Sequence, residues 1–316
     1  MSMEKKRVYL PEGALLTTAE NQAATSSLTA LMRAQDEQML LEARVVRCDV
    51  EHNLIVQLPC GEGIIPHDEG AQGIAEGTTK DIALISRVGK PVCFVVTGFE
   101  QTGDVCRPVL SRRVAQERCR EEFLNHLRPG DVVPARVTRL ETFGAFCDIG
   151  CGLVALMPIA DISVSRISHP TDRLAVGMEI RTVVSTMENG RICLSLRELL
   201  GTWEENAALF SEGETVSGVV RSVESYGIFI ELTPNLAGLA ELHPDMDVRV
   251  GQQAAVFIKG MNPEKMKVKL ALIDVMDGES KPAPLRYFIT EGPITQWRYS
   301  PSGSQRVIER AFAMAE

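Results

Sequence analysis

Long apolar runs are missing from this 316-residue sequence. None reaches the ~18 consecutive apolar residues of a membrane-spanning helix, and Met1 to Leu10 holds no apolar stretch able to act as a secretory signal. A cytoplasmic chain with no membrane partner is the expectation. Paired cysteines are missing as well: eight are scattered along the chain, Cys147 and Cys151 being the closest, with no CxxC and no Cys/His cluster at zinc spacing. They are expected to be reduced and mostly buried, since an unpaired cysteine behaves as a small hydrophobe. Histidine is sparse and dispersed, at positions 52, 67, 126, 169 and 243, and the acidic company singled out is Asp68-Glu69 beside His67. No metal site and no cofactor are expected. There is also no P-loop, no GxGxxG after a strand and no GxSxG. With no nucleophile set beside a base, the chain is not expected to be an enzyme.

Aromatic residues make up only 5% of the chain, and none occurs between Tyr9 and Phe94. The net charge is −9, from 33 basic and 42 acidic side chains. That balance excludes a protein that coats duplex nucleic acid by charge alone. It leaves single-strand binding open, because bases stacked on aromatic faces need only a local groove that is not strongly negative.

What the sequence does have is an internal repeat. Asp131 to Ile149 (DVVPARVTRLETFGAFCDI) aligns without gaps on Glu214 to Leu232 (ETVSGVVRSVESYGIFIEL), matching Val133 with Val216, Glu141 with Glu224, Gly144 with Gly227 and Phe146 with Phe229. Each copy opens after a Gly-containing turn and alternates apolar residues at the period of a half-buried strand. A second matching block runs from Val176-Gly177 to Leu196 and from Val250-Gly251 to Leu272, two strands around Glu188-Asn189-Gly190 or Asn262-Pro263-Glu264. An Asn-Gly step between alternating strands marks a hairpin. Five short strands in about 65 residues have the size of a closed Greek-key barrel of the oligonucleotide-binding kind. Glu42 to Pro66 and Arg87 to Ser111 read as a third, degenerate copy. Arg112 to Leu127, Arg197 to Phe210 and Thr25 to Leu41, the last with Ser27 as a possible N-cap, have the apolar spacing of short helices.

Phe143 and Phe146 flank Gly144, and Tyr226 and Phe229 flank Gly227. Residues at i and i+3 point to opposite faces of a flat strand, so a glycine bulge or bend is expected to bring each pair to one face. That geometry would make a stacking platform; the alternative is that Phe146 and Phe229 belong to the core.

The string Thr142-Phe143-Gly144-Ala145-Phe146, the later Gly177 and the exit Gly190-Arg191-Ile192-Cys193-Leu194-Ser195-Leu196 resemble the RNA-binding S1 domain of the bacterial ribosomal protein S1 family, as does Tyr226-Gly227-Ile228-Phe229. The resemblance covers roughly residues 38 to 275. It implies a mainly β chain of tandem five-stranded S1-type (OB-fold) barrels joined by short helices. It also implies an RNA face made by Phe143, Phe146 and Arg191 in one barrel and by Tyr226, Phe229 and Lys267 in the next. Pro158 and Glu241 stand where the family often has a histidine, and Met187 and Asn262 replace an acidic residue, so weaker or more general binding is expected. The ring-less first unit, with Gly63-Ile64-Ile65-Pro66, resembles N-terminal barrels that attach to the ribosome or another protein.

The expected organisation is a lead-in and helix at 1–37, a degenerate S1-like barrel at 38–112, a helical linker at 113–128, an S1 barrel at 129–197, a second linker at 198–211, an S1 barrel at 212–275 and a tail at 276–316. Residues 38–112 carry 7 basic and 10 acidic side chains against 7 of each in 129–197, so the middle barrel repels phosphate least. In the tail, Pro284 to Thr290 and Ile294 to Ser300 read as a β-hairpin, rich in Tyr287, Phe288, Trp297 and Tyr299. It either contacts nucleic acid, with Arg286 and Arg298, or packs on the last barrel; Gln305 to Glu316 is open between helix and strand. The leading expectation is a single-stranded RNA (mRNA) binder at the small ribosomal subunit, docked through the N-terminal barrel. The rival is a protein-interaction scaffold to which RNA is incidental.

Overall fold

A computed structural model describes residues 9–103, 105–188, 190–242, 247–279 and 284–312. The chain divides into two units, Met1–Leu127 with Asp148–Val154, and Arg128–Cys147 with Ala155–Glu316.

Three closed five-stranded barrels follow one another. The first comprises β1 (Leu41–Cys48), β2 (Leu54–Leu58), β3 (Gly61–Ile65), β4 (Pro91–Thr102) and β5 (Val105–Ser111). The second comprises β6 (Val132–Glu141), β7 (Gly144–Gly150), β8 (Leu153–Pro158), β9 (Glu179–Glu188) and β10 (Arg191–Ser195). The third comprises β11 (Thr215–Glu224), β12 (Gly227–Thr233), β13 (Leu236–Ala240), β14 (Gln252–Asn262) and β15 (Lys267–Glu279). In each, the first strand pairs with the second, the second with the third, the third with the fifth, the fifth with the fourth and the fourth with the first. Third and fifth strands run parallel, through Ile64–Val109, Cys193–Leu156 and Leu239–Lys269. The alternation seen in the sequence fills the interiors: Leu41, Ala43 and Val45 point inward from β1, and Val133, Ala135 and Val137 from β6. The mainly β, tandem-barrel class is therefore the observed one. Of the expected Asn-Gly turn, Asn189 lies outside the described residues; Gly190 adopts φ +73°, the left-handed conformation such a turn requires.

Short helices stand where the sequence placed them. Ser27 caps the helix Leu28–Asp36 by accepting from the Ala30 N–H at 3.1 Å. Ser111 caps Arg112–Glu122 in the same way. The expected Arg197–Phe210 helix is broken into a 3₁₀ turn, Arg197–Leu200, and a helix, Trp203–Ala207, because Gly201 sits at φ +85° and Thr202 and Glu205 form a capping box. A further helix, Ala19–Ala24, precedes the one the sequence indicated.

Two terminal segments depart from expectation. The stretch Leu10 to Asn21, which reads as a loose lead-in, is anchored by Glu12, a buried carboxylate that pairs with the buried Arg112 at 2.6 Å and accepts from the Cys93 backbone. Its backbone N–H donates to Asp148. In the tail, Pro284–Thr290 forms no strand. The C-terminal hairpin pairs Gln296–Arg298 with Glu309–Ala311 instead. Trp297 and Tyr299 are buried with the core of the third barrel, and the Tyr299 hydroxyl donates to the Asn235 carbonyl. Packing, not a free stacking face, is thus what these two rings do; residues 280–283 and 313–316 lie outside the described residues.

Within the second unit the middle and third barrels are joined by buried polar contacts. Asn235, fully buried, accepts from the Val164 N–H at 2.9 Å and donates to the carbonyls of Arg197 and Gly201 at 2.8 Å each. Glu231, on β12, takes a two-pronged ion pair from Arg173 at 2.6 and 2.7 Å and a second from Arg221 at 3.0 and 3.2 Å.

Candidate nucleic-acid interface

Both ring pairs stand outside their barrels. Thr142 and Phe143 form the two-residue turn between β6 and β7, and Ser225 and Tyr226 form the matching turn between β11 and β12. Phe143 is 53% exposed and Tyr226 67%. Phe146 and Phe229, three residues on, are half-buried on their strands. The ring centroids lie 6.0 Å apart in the middle barrel and 6.2 Å in the third, with interplanar angles of 90° and 87°. Edge-to-face contact of this kind is a favoured aromatic geometry, and it leaves faces open to a base.

Of the bulge or bend expected at the glycine, the bend is what brings the rings together. The first ring of each pair sits on a hairpin tip, where alternation does not apply, and the glycine opens the next strand. Its role is close approach: a Cβ on Gly144 would collide with the Met157 carbonyl oxygen, and one on Gly227 with that of Ala240. Gly227 also holds φ +151°. A side chain at either place would push the turn away from β8 or β13 and shift the ring with it.

Arg191 and Lys267 are exposed and open the last strands, opposite Glu188 and Asn262. In the barrel order, β8 stands between Arg191 and the ring-bearing β7, and β13 between Lys267 and β12. Pro158 closes β8. Glu241 follows β13 and is exposed, its carboxylate 3.8 Å from the Lys259 ammonium.

One residue of this face went unnoticed in the sequence. The Arg139 guanidinium lies 4.7 Å from the centroid of the Phe146 ring, held also by Glu141 at 2.9 Å. Hairpin register was the available signal. In the third barrel Ser222 opposes Phe229, and Arg139 occupies the same place as Ser222 in the repeat. A cation over a ring adds a cation–π contact and a positive charge next to the stacking surface.

The first barrel has no such platform. Its first two strands are joined by the longer Asp49–Asn53 turn, in which Asp49 accepts from the Glu51 and Asn53 N–H groups, and His52 sits at φ +63°. His52 and His67, dispersed in sequence, meet here: Asp81 lies 3.2 Å from one and 2.9 Å from the other, and Asp68 holds the second nitrogen of His67 at 2.8 Å. The donors of His52, His67 and Asp81 fall within 4.8 Å of one another, the one group among the described residues with metal-ligand chemistry. Hydrogen bonds to Asp81 and Asp68 raise the pKa of His67 above its ordinary value.

Residues 126–197 match the family model for the S1 RNA binding domain. A Bacillus subtilis (strain 168) protein named small ribosomal subunit protein bS1 homolog is 30% identical over 200 residues, which are 61% of this chain and 50% of that protein. Small ribosomal subunit protein bS1 of Staphylococcus aureus (strain COL) is 25% identical over 283 residues, 84% of this chain and 70% of that one. The chain thus spans about half the length of the first of these relatives. A solved structure of a multidomain protein with nucleic acid binding domains from Streptococcus pneumoniae aligns over 75% of this chain and 74% of its own at 14% identity and a TM-score of 0.25. No helix among the described residues is long and apolar enough to cross a membrane. Residues 126–197 thus carry an S1 RNA binding domain, and the chain around them is similar to bacterial small ribosomal subunit protein bS1.

Proposed function

We propose that this protein binds single-stranded RNA without catalysing a reaction and holds messenger RNA at the small ribosomal subunit, in the cytoplasm. The observation that carries the reading is the duplicated platform: two barrels present an exposed ring on a hairpin tip and a second ring at 6.0 or 6.2 Å, edge to face. Phe143, Phe146 and Arg139 with Arg191 would hold bases and phosphates in the middle barrel; Tyr226, Phe229 and Lys267 would do so in the third. The first barrel, lacking a ring pair at its first turn and carrying the Asp49, Asp68 and Asp81 carboxylates around that turn, is the attachment module in this reading. Relatives named as small-subunit proteins support the ribosomal setting.

The test is titration of the full chain with labelled single-stranded RNA. Stacking is worth ~1–3 kcal/mol per base by substitution. Phe143→Ala with Phe146→Ala is expected to weaken binding at least about tenfold, and adding Tyr226→Ala and Phe229→Ala to weaken it further. Unchanged affinity in the fourfold variant, with its thermal midpoint retained, defeats the reading.

A further inference from the structure

The loop that follows β8, residues 159–168, passes the ring pair of the third barrel and leaves a cleft of ≈ 980 Å³ between them. One wall is the loop, with Ser163, Arg166 and Ser168; the other is the third barrel's face, with Ser222, Tyr226 and Phe229. Buried groups hold the loop wall at its middle and just beyond its C-terminal end. Asn235 holds the Val164 N–H, and Arg173, five residues beyond the loop, is clamped on Glu231; Arg173 and Glu231 are each 5% exposed. A wall held by buried charge-assisted bonds is pre-organised, so a ligand entering the cleft has little loop ordering left to do.

The charges around the cleft are unequal in availability. Arg221 is committed to Glu231, and Glu224 adds one carboxylate. Arg166 is exposed and has no acidic partner among the described residues. A free guanidinium beside two stacking rings, with hydroxyls on both walls, matches one nucleotide: ring for base, fork for phosphate, hydroxyls for sugar.

We infer that this cleft is a nucleotide subsite continuous with the Tyr226–Phe229 platform, in which Arg166 of the middle barrel takes the phosphate next to a base stacked on the third barrel. The inference rests on the RNA-binding reading and specifies the course of the strand: it leaves the platform along the loop, so two barrels share one nucleotide run.

The experiment titrates the full chain with single-stranded RNA oligonucleotides of increasing length at several salt concentrations. Arg166→Ala is expected to leave the thermal midpoint unchanged and to weaken binding of the longer oligonucleotides roughly 3- to 10-fold. It should also flatten the dependence of log affinity on log salt by about 0.7, the share of one single-strand phosphate contact. Arg166→Glu should weaken binding more than Arg166→Ala. Lys90→Ala, which removes an exposed cation from the first barrel, should change neither quantity. If both Arg166 variants bind like the parent while Tyr226→Ala with Phe229→Ala still costs tenfold, the subsite is refuted and RNA binding stands. Loss of affinity in Lys90→Ala equal to that in Arg166→Ala also refutes it, since general charge would then explain both. If the ring variant binds like the parent as well, the third barrel's platform fails together with its subsite.

Discussion

Replacing Glu231 by alanine should strip the Arg173–Glu231–Arg221 cluster, at the junction of the middle and third barrels, of its anion while leaving two cations in place. Glu231, Arg173 and Arg221 have side chains exposed to 5%, 5% and 11%, so water cannot take over the lost bonds. Four N–H···O contacts of 2.6 to 3.2 Å disappear at once. Breaking one partner out of a buried pair typically costs ~3–5 kcal/mol. The assay is built into the chain: its two tryptophans, Trp203 and Trp297, both lie in the core cluster of the third barrel, so their fluorescence follows the second unit. At a urea m-value of about 2 kcal/mol/M, the midpoint should fall by about 1.5–2.5 M. The triple variant Arg173→Met, Arg221→Met and Glu231→Leu removes all three charges. It should recover the parent midpoint or exceed it, because an apolar replacement of a buried charge cluster is often neutral or better. A Glu231→Ala shift below ~0.3 M, little more than the fractional uncertainty such extrapolations carry, would refute the view that this cluster clamps the loop wall.

Two further outcomes follow from the same kind of accounting. Burial pushes Glu42 up to about 7 from its ordinary 4.5, against the opposing pull of backbone N–H bonds from Gly13, Leu15 and Leu16. The folded state therefore binds this proton more tightly than the unfolded state; its stabilising effect is complete below about pH 4.5 and is lost as the pH rises through about 7. Glu42→Gln, which keeps an acceptor for those N–H groups, should flatten the fall of the thermal midpoint between about pH 5 and 7, and an unchanged pH profile would contradict it. Gly144→Ala and Gly227→Ala should each lower stability by about 1–3 kcal/mol through collision with the neighbouring strand and weaken RNA binding by displacing a ring. Gly177→Ala, which has open space around its Cβ at φ +88°, should cost about 1 kcal/mol and leave binding alone.

Much of this architecture was legible because the barrel is built from local, repeated signals. Period-two alternation at Val133, Ala135 and Val137 gives a strand its inward face, and the gapless match to 216–220 repeats it. The rings were legible for a different reason: at Phe143 and Tyr226, a large apolar side chain next to a glycine interrupts the strand pattern. Which device gives them a common face is open in the sequence between a bulge and a bend, and the bend at the hairpin tip is what frees the first ring from alternation. The tail was harder. Strands of three residues, Gln296–Arg298 and Glu309–Ala311, carry too little periodicity to be seen, and their pairing skips the intervening 299–308. Trp297 and Tyr299 look like binding aromatics in sequence, but both are buried in the apolar cluster that also holds Leu236 of the third barrel. Glu12 was invisible for a related reason: its partner Arg112 is 100 residues away.

The contrast among the three barrels comes down to one connection. All share a strand order, so all bring the turn between their first two strands to the same place on the barrel. A two-residue turn forces its second residue outward, and in the middle and third barrels that residue is Phe143 or Tyr226. In the first barrel the turn lengthens to Asp49–Asn53 and folds around its own carboxylate, while Asn53 accepts from the His67 N–H at 2.9 Å. The space that would receive a base is then bordered by Asp68 and Asp81, whose charge repels phosphate. Stacking and repulsion are thus exchanged by a change of three residues in turn length, with the barrel beneath unaltered.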